Sequence, residues 1–369
     1  MKKILYITAF VPEQGSAGEK FSKQLLELLS ASAKVDLVYF KYSHNNNFYT
    51  ASRNLKVVKV FRNSLLIKII NILLYPFVFP LFSARFNILR LISLKKIVRQ
   101  GNYDTLVFDF SQTFLFASFF KSANKVLISH DIIAQRYSRI YGGILTPIVK
   151  FSERRLLATP GSEVFCLSEK DSILAKDYYK LETNFTSILM DRAIMDAWPE
   201  TTGDYYIFFG NWARKDNYSG LHWFLDKVYP VLERKFTARV IGPGLPGHLR
   251  KLIAGTESIE YQGFVENPYP EIANAKALIS PLFSGAGIKV KALEALACGT
   301  EIIGTSVSLE GIPGRFADFM TLADNADSFK GIIESFNTDT GKKKELKSLF
   351  LANYPDKKIA EHILNNRKH

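Results

Sequence analysis

Cysteine is nearly absent: Cys166 and Cys298 are the only two in 369 residues, and they lie far apart. Neither a disulfide framework nor a cysteine-based metal site can be built from them, and a reducing, cytoplasmic setting is expected. Histidine offers no substitute, because His222, His248, His362 and His369 have no ligand spacing to one another or to cysteine. No metal is expected. An unbroken apolar stretch of about 20 residues, the length a spanning helix needs, is also missing. The chain begins like a signal peptide, with Lys2 and Lys3 ahead of an apolar run over 4–10. Pro12, Glu13 and Gln14 end that run too early, so it reads as a buried first strand.

What is present is ordinary globular material. Hydrophobic residues make up 47% and charged residues 22%, which excludes disorder as the main state. At about 150 residues per domain, the length predicts two domains, or two plus an appendage. The net charge of +13 is unevenly spread. No acidic residue occurs between Asp36 and Asp104, where eleven Lys and Arg fall, among them Lys68, Arg85, Lys95, Lys96 and Arg99. Inside that stretch 65–82 (LLIKIINILLYPFVFPLF) is almost continuously apolar, broken by Lys68, Asn71, Pro76 and Pro80.

Three readings of this segment compete. A spanning helix conflicts with the interruptions and would part the strands before and after it, which share a sheet. A buried core helix is the plain alternative. The third is interfacial docking, in which an apolar face flanked by Lys and Arg lies in the headgroup layer, each basic residue contributing about 1 kcal/mol near anionic lipid. On that reading residues about 53–100 face an anionic membrane surface. Nucleic acid is not expected, since bases are gripped by exposed aromatics along a groove.

Strand-like runs at 4–10, 35–40, 55–61, 105–110, 126–129 and 163–167 alternate with helical patterns. After a polar, Pro- and Gly-containing lapse around 192–204, a second series begins at 205–209, 238–241, 258–261, 277–280, 301–304 and 319–322. The class is α/β, with two doubly wound, Rossmann-like domains. The expected division is 1–198, 204–350 and a C-terminal helical piece, 351–369, that packs or crosses back to the first domain. In such sheets ligands bind beyond the carboxyl ends of strands, so the loops after strands, facing a cleft between the domains, are the candidate sites.

The strongest local signal is Ser284-Gly285-Ala286-Gly287-Ile288-Lys289-Val290-Lys291, a glycine-rich turn running into a helix after the 277–280 strand. A helix start is already electropositive, so two lysines in its first turn are unfavourable unless an anion such as a diphosphate sits there. The alternative is an i,i+3 pair of Lys291 with Glu294, worth a few tenths of a kcal/mol. His130 follows the 126–129 strand, and Asp131 either orients it or, as the favoured reading, caps the next helix. Gly15, Ser16 and Gly18 precede the first helix and either approach phosphate or acceptor or serve an ordinary turn.

Taken together, these residues resemble the retaining GT-B glycosyltransferases of the glycosyl transferases group 1 kind, the bacterial set that builds surface polysaccharide such as O-antigen, capsule or exopolysaccharide. The resemblance covers most of the chain. It rests on Ser129-His130-Asp131, Ser168-Glu169-Lys170-Asp171, Gly210-Asn211 with Asp216-Asn217, Gly263-Phe264-Val265, the GAGIKVKALEALACG run and Leu309-Glu310-Gly311. It implies that the C-terminal domain binds a nucleotide diphosphate sugar of UDP or GDP type, with Glu294 holding the ribose and Phe264 and Val265 facing the base. Lys289, Lys291 and Arg214 would neutralise the leaving diphosphate, with Gly210, Gly285, Ala286, Gly287 and Glu310 completing the donor site. His130, Lys289 and Glu294 are the implied catalytic residues, and no cofactor is implied. The resemblance further implies hexosyl transfer, with retention, to a hydroxyl of a polyprenyl- or lipid-linked glycan. The basic apolar segment would then hold the enzyme peripherally on the inner face of the cell membrane.

The chain departs from the family pattern where a second glutamate is usual eight residues before Glu294, a position held by Ala286, and where Asn211 and Asn217 replace a common Arg and Lys. No D-x-D motif occurs, which speaks against transferases that hold a divalent ion through such carboxylates. Gly242-Pro243-Gly244-Leu245-Pro246-Gly247 imitates the G-x-G-x-x-G dinucleotide fingerprint, but its two prolines remove N–H donors. A sugar-nucleotide epimerase of the same fold, and a degenerate transferase serving as a scaffold, are the alternatives.

Overall fold

The computed structural model describes residues 1–13, 16–42, 49–50, 52–121, 124–141, 143–233, 235–285, 287–353 and 358–365. Gly15 and Ala286, two of the candidate site residues, lie outside them. The chain divides between Leu189 and Met190 into two units, and the C-terminal helix Lys358–Asn365 belongs to the first.

The first unit carries seven strands: β1 (Lys3–Thr8), β2 (Lys34–Tyr42), β3 (Leu55–Asn63), β4 (Thr105–Asp109), β5 (Asn124–Ser129), β6 (Ser162–Cys166) and β7 (Asn184–Phe185). They lie in the order β3-β2-β1-β4-β5-β6-β7, all parallel. A parallel sheet is covered on both faces, which is why its central strands read as continuous apolar runs: Ile4, Leu5, Tyr6 and Ile7 of β1 are fully buried. The first helix, Ala17–Ser32, starts in a capping box in which the Ser16 side chain accepts from Glu19 N–H and Ser16 N–H donates to the Glu19 carboxylate. The C-terminal helix is fixed by Lys2 Nζ donating to Ile363 O at 2.9 Å and by His362 Nε2 lying 2.7 Å from Glu163 Oε2.

The second unit carries six strands: β8 (Tyr206–Phe209), β9 (Ala238–Ile241), β10 (Ile259–Gly263), β11 (Ala277–Ser280), β12 (Glu301–Gly304) and β13 (Met320–Leu322). Their order is β10-β9-β8-β11-β12-β13, again all parallel. Each sheet thus reverses its winding between its first and fourth strands, β1 with β4 and β8 with β11, the switch point where doubly wound sheets open a crevice.

Two lysines of the Thr340–Asn353 helix are fully buried in this unit. Lys347 Nζ donates to Ala297 O at 2.7 Å and to Ile194 O and Met195 O at 3.0 and 2.9 Å. One ammonium so satisfies the terminal carbonyls of helices Val290–Ala297 and Arg192–Asp196. Lys343 Nζ donates to Ala275 O, and burial pushes this amine down to about 8.

Candidate functional site

At the switch point of the second sheet, the loops after β8 and β11 bring cations together. Lys289 is the N-cap of helix Val290–Ala297, with no side-chain cap at that helix start. Its Nζ turns back to donate to Gly287 O at 2.6 Å and lies 3.8 Å from Glu310 Oε2. Gly285 and Gly287 carry φ of +118° and +68°, values that favour glycine and let the loop fold under the Lys289 side chain. Lys291 Nζ donates to Asn217 Oδ1 at 3.2 Å, and Asn217 Nδ2 donates to Asn211 O at 2.7 Å. Arg214, at the start of helix Lys215–Trp223, stands 4.0 Å from Asp216, which accepts from Ser284. Burial and the neighbouring Arg214 and Lys289 charges push the Lys291 amine down to about 7, against the opposing pull of Asp216.

The i,i+3 pairing of Lys291 with Glu294 is not formed; Asn217 takes the amine instead. Glu294 is buried one turn further along the helix beside Tyr269, whose phenol is pushed well above its usual range, first by burial and next by that carboxylate. Gly210, Arg214, Lys289, Lys291, Gly285, Gly287 and Glu310 therefore gather around one helix start. Phe264 stands 74% exposed on the loop after β10, with Val265 half-buried beside it. The Gly242–Gly247 loop is instead tied to Trp212, whose backbone N–H donates to Pro243 O at 2.9 Å and whose indole donates to Ile241 O at 3.0 Å.

At the switch point of the first sheet, the residue after β5 meets the end of β4. His130 Nε2 lies 2.7 Å from Asp109 Oδ1, and Asp109, 0% exposed, also accepts from Ser22 Oγ at 2.5 Å. The imidazole stacks on Phe110 with ring centroids 3.7 Å apart and 4° between planes. Phe110 has φ of +66°, unusual for an aromatic residue and the means by which its ring lies flat on His130. The first helix closes the other side: a Cβ on Gly18 would fall 2.8 Å from the Phe110 ring and 3.1 Å from His130 Nδ1.

The free N–H groups at the start of Ile133–Tyr141 go to Glu153, which accepts from Ile133 and Ala134 at 2.8 and 2.9 Å. Ser16 carries the capping box of the first helix. The sequence alone did not single out Asp109, Ser22, Phe110 and Tyr269. Of these only Asp109 left a trace, a lone carboxylate closing an apolar strand.

The 65–82 segment divides: Phe79 and Phe82 join the core of the first unit, whereas helix Leu65–Leu74 is not a core helix. In helix Leu65–Leu74 the one buried residue is Asn71, which donates to Ala84 O at 3.0 Å, while Leu65, Leu66, Leu73 and Leu74 are exposed. Phe77 is 87% exposed, and Leu89 and Ile92 project from helix Ile88–Gly101. Among the described residues no helix is long and apolar enough to cross a membrane, and no cluster of three or more His, Cys, Asp or Glu has the arrangement of a metal site.

Residues 203–336 match the family model described as Glycosyl transferases group 1. A curated relative, an uncharacterized 44.6 kDa protein in the cps region of Klebsiella pneumoniae, is 25% identical over 172 residues, covering 42% of this chain. The match spans 44% of that relative, less than half its length. Among solved structures, HepE from Anabaena in complex with UDP aligns with a TM-score of 0.69 at 13% identity, over 99% of this chain and 100% of its own. WaaG, a glycosyltransferase involved in lipopolysaccharide biosynthesis, aligns with a TM-score of 0.67 at 11% identity, over 98% of this chain and 100% of its own. The likeness to the solved structures shows a GT-B fold.

Proposed function

We propose that this chain is a glycosyltransferase moving a hexosyl group from a nucleoside diphosphate sugar to a hydroxyl of a lipid-linked glycan in bacterial surface-polysaccharide synthesis. The observation that carries the reading is the cluster of Lys289, Lys291 and Arg214 around an uncapped helix start. Three cations and the positive end of a helix dipole are costly side by side, and a diphosphate relieves the repulsion. The HepE complex supports UDP as the nucleotide, and the cps-region relative supports the polysaccharide setting.

In this reading the bond from sugar C1 to the β-phosphate oxygen breaks while C1 bonds the acceptor oxygen, and the acceptor proton passes to the leaving diphosphate. Retention of configuration follows the family resemblance. Lys289, Lys291 and Arg214 stabilise the charge that develops on the leaving group. Glu294 takes the ribose hydroxyls as a carboxylate acceptor. His130, fixed in orientation by Asp109 and by its stack on Phe110, contacts the transferred sugar. No metal is assigned to the reaction. The exposed apolar helices, set in a stretch free of acids, support peripheral docking on the anionic inner face of the cell membrane.

Two variants test the division of labour. K289A is expected to weaken nucleoside diphosphate binding by tenfold or more, since a charge-assisted hydrogen bond is worth about 1.5–3 kcal/mol. H130A is expected to bind the nucleotide like the wild type and to lose most transfer, measured by calorimetry and by product formation. Nucleotide affinity unchanged in K289A, or transfer unchanged in H130A, overturns the assignment concerned.

A further inference from the structure

Arg85, in the turn between helices Pro80–Ser83 and Ile88–Gly101, is a guanidinium only 4% exposed. Its Cζ lies 4.7 Å from the Phe10 ring centroid and 5.7 Å from that of Tyr42. Among the described residues its one side-chain hydrogen bond runs from Nε–H to Ala9 O at 3.0 Å, and no carboxylate pairs with it. The neighbouring Arg90, by contrast, spends its donors on Arg85 O, Arg62 O and Asn63 Oδ1. An unpaired buried charge costs several kcal/mol unless an anion completes it. A guanidinium fork whose two Nη groups make no hydrogen bond to the described residues fits phosphate oxygens two at a time.

Its place in the fold says which anion. Along the carboxyl edge the strand order is β3-β2-β1-β4-β5. Helix Leu65–Leu74, with its exposed leucines, follows β3. Arg85 sits over Tyr42 at the end of β2 and Phe10 just after β1. Phe10 packs edge-on against Phe110 at 4.9 Å, and Phe110 stacks on His130 at 3.7 Å, just after β5. Apolar surface, guanidinium, aromatic ladder and imidazole therefore succeed one another in a line.

We propose that Arg85 seats the phosphate or diphosphate of a lipid-borne acceptor, with the lipid toward the exposed helices and the acceptor sugar toward His130. The proposal rests on the transferase reading and names its acceptor class. At about 4.8 Å per strand, the distance from Arg85 to His130 is roughly 10–14 Å. That leaves room for a short saccharide between the phosphate and the reacting hydroxyl.

The test uses the full chain with farnesyl diphosphate, farnesol, inorganic pyrophosphate and UDP as probes, and calorimetry as the readout. Farnesyl diphosphate is expected to bind the wild type, farnesol not to bind, and pyrophosphate to bind at least tenfold more weakly. R85Q is expected to lose farnesyl diphosphate affinity by tenfold or more while keeping wild-type UDP affinity. If R85Q folds poorly, R85K, which keeps the charge without the fork, should show a smaller loss in the same direction. Equal farnesyl diphosphate affinity in wild type and both variants overturns the site. Arg85-dependent binding of pyrophosphate as tight as that of farnesyl diphosphate overturns the lipid-borne assignment. Absence of UDP binding in the wild type would count against the transferase reading, and the Arg85 result would still be read separately.

Discussion

Lys291 is held in a place that disfavours its own charge, and that gives the site a pH dependence of known sign. Its amine is pushed down to about 7, so in the free protein it is largely neutral at pH 8. A bound diphosphate favours the charged form, so nucleotide binding takes up a proton, and affinity falls as pH rises from 7.5 to 9, approaching about tenfold per unit. Calorimetry in buffers of different ionisation enthalpy should detect the proton, and K291M should flatten the profile. A flat wild-type profile contradicts the placement of phosphate beside this amine. The unfolded chain holds this proton up to its ordinary value of 10.5, so burying Lys291 costs stability below about 7. That cost is relieved as pH rises between the two values. At this scale the placement was legible: the glycine turn with its two lysines lies at a helix start, and His130 follows a strand end, as the sequence pattern has them. Asp109 was not, because its partnership with His130 crosses 21 residues of sequence and exists only once β4 and β5 pair.

Helix Leu65–Leu74 is built inside out. A core helix turns its leucines inward and its asparagine to water, whereas this one buries Asn71 and shows its leucines. Composition displayed the apolar run but not its orientation, which one hydrogen bond from Asn71 to Ala84 O decides. The orientation separates docking from core packing experimentally. Replacing Leu66, Leu73 and Phe77 together with serine should change stability by no more than about 0.5 kcal/mol per site, as for surface positions. The same variant should lose co-sedimentation with vesicles containing anionic lipid, as should one with Lys95, Lys96 and Arg99 replaced by serine. Buried leucines would instead cost about 2–5 kcal/mol each. A sharp fall in melting temperature with vesicle binding unchanged contradicts docking through this face.

The whole molecule was legible in its rhythm, because buried parallel strands read as short apolar runs separated by helical patterns, and twelve of the thirteen strands lie on such runs. β7 was not, since the two residues Asn184–Phe185 are too few to show a period. Nor could the pattern reveal that Lys347 would tie helix Arg192–Asp196, at the start of the second unit, to the far end of the Lys291 helix. Such a bond joins residues 153 positions apart and replaces the usual exposed lysine with a buried cap. The central claim is that the second unit binds a nucleoside diphosphate through the start of helix Val290–Ala297. Thermal unfolding of the wild type and K289A with UDP, GDP, CDP, dTDP and NAD tests it most directly. At about 100 times its dissociation constant a ligand adds roughly 2.7 kcal/mol of stability. One nucleoside diphosphate, UDP foremost, is expected to raise the wild-type melting temperature by several degrees and to move that of K289A far less. A response to NAD alone, or to none of them, contradicts it.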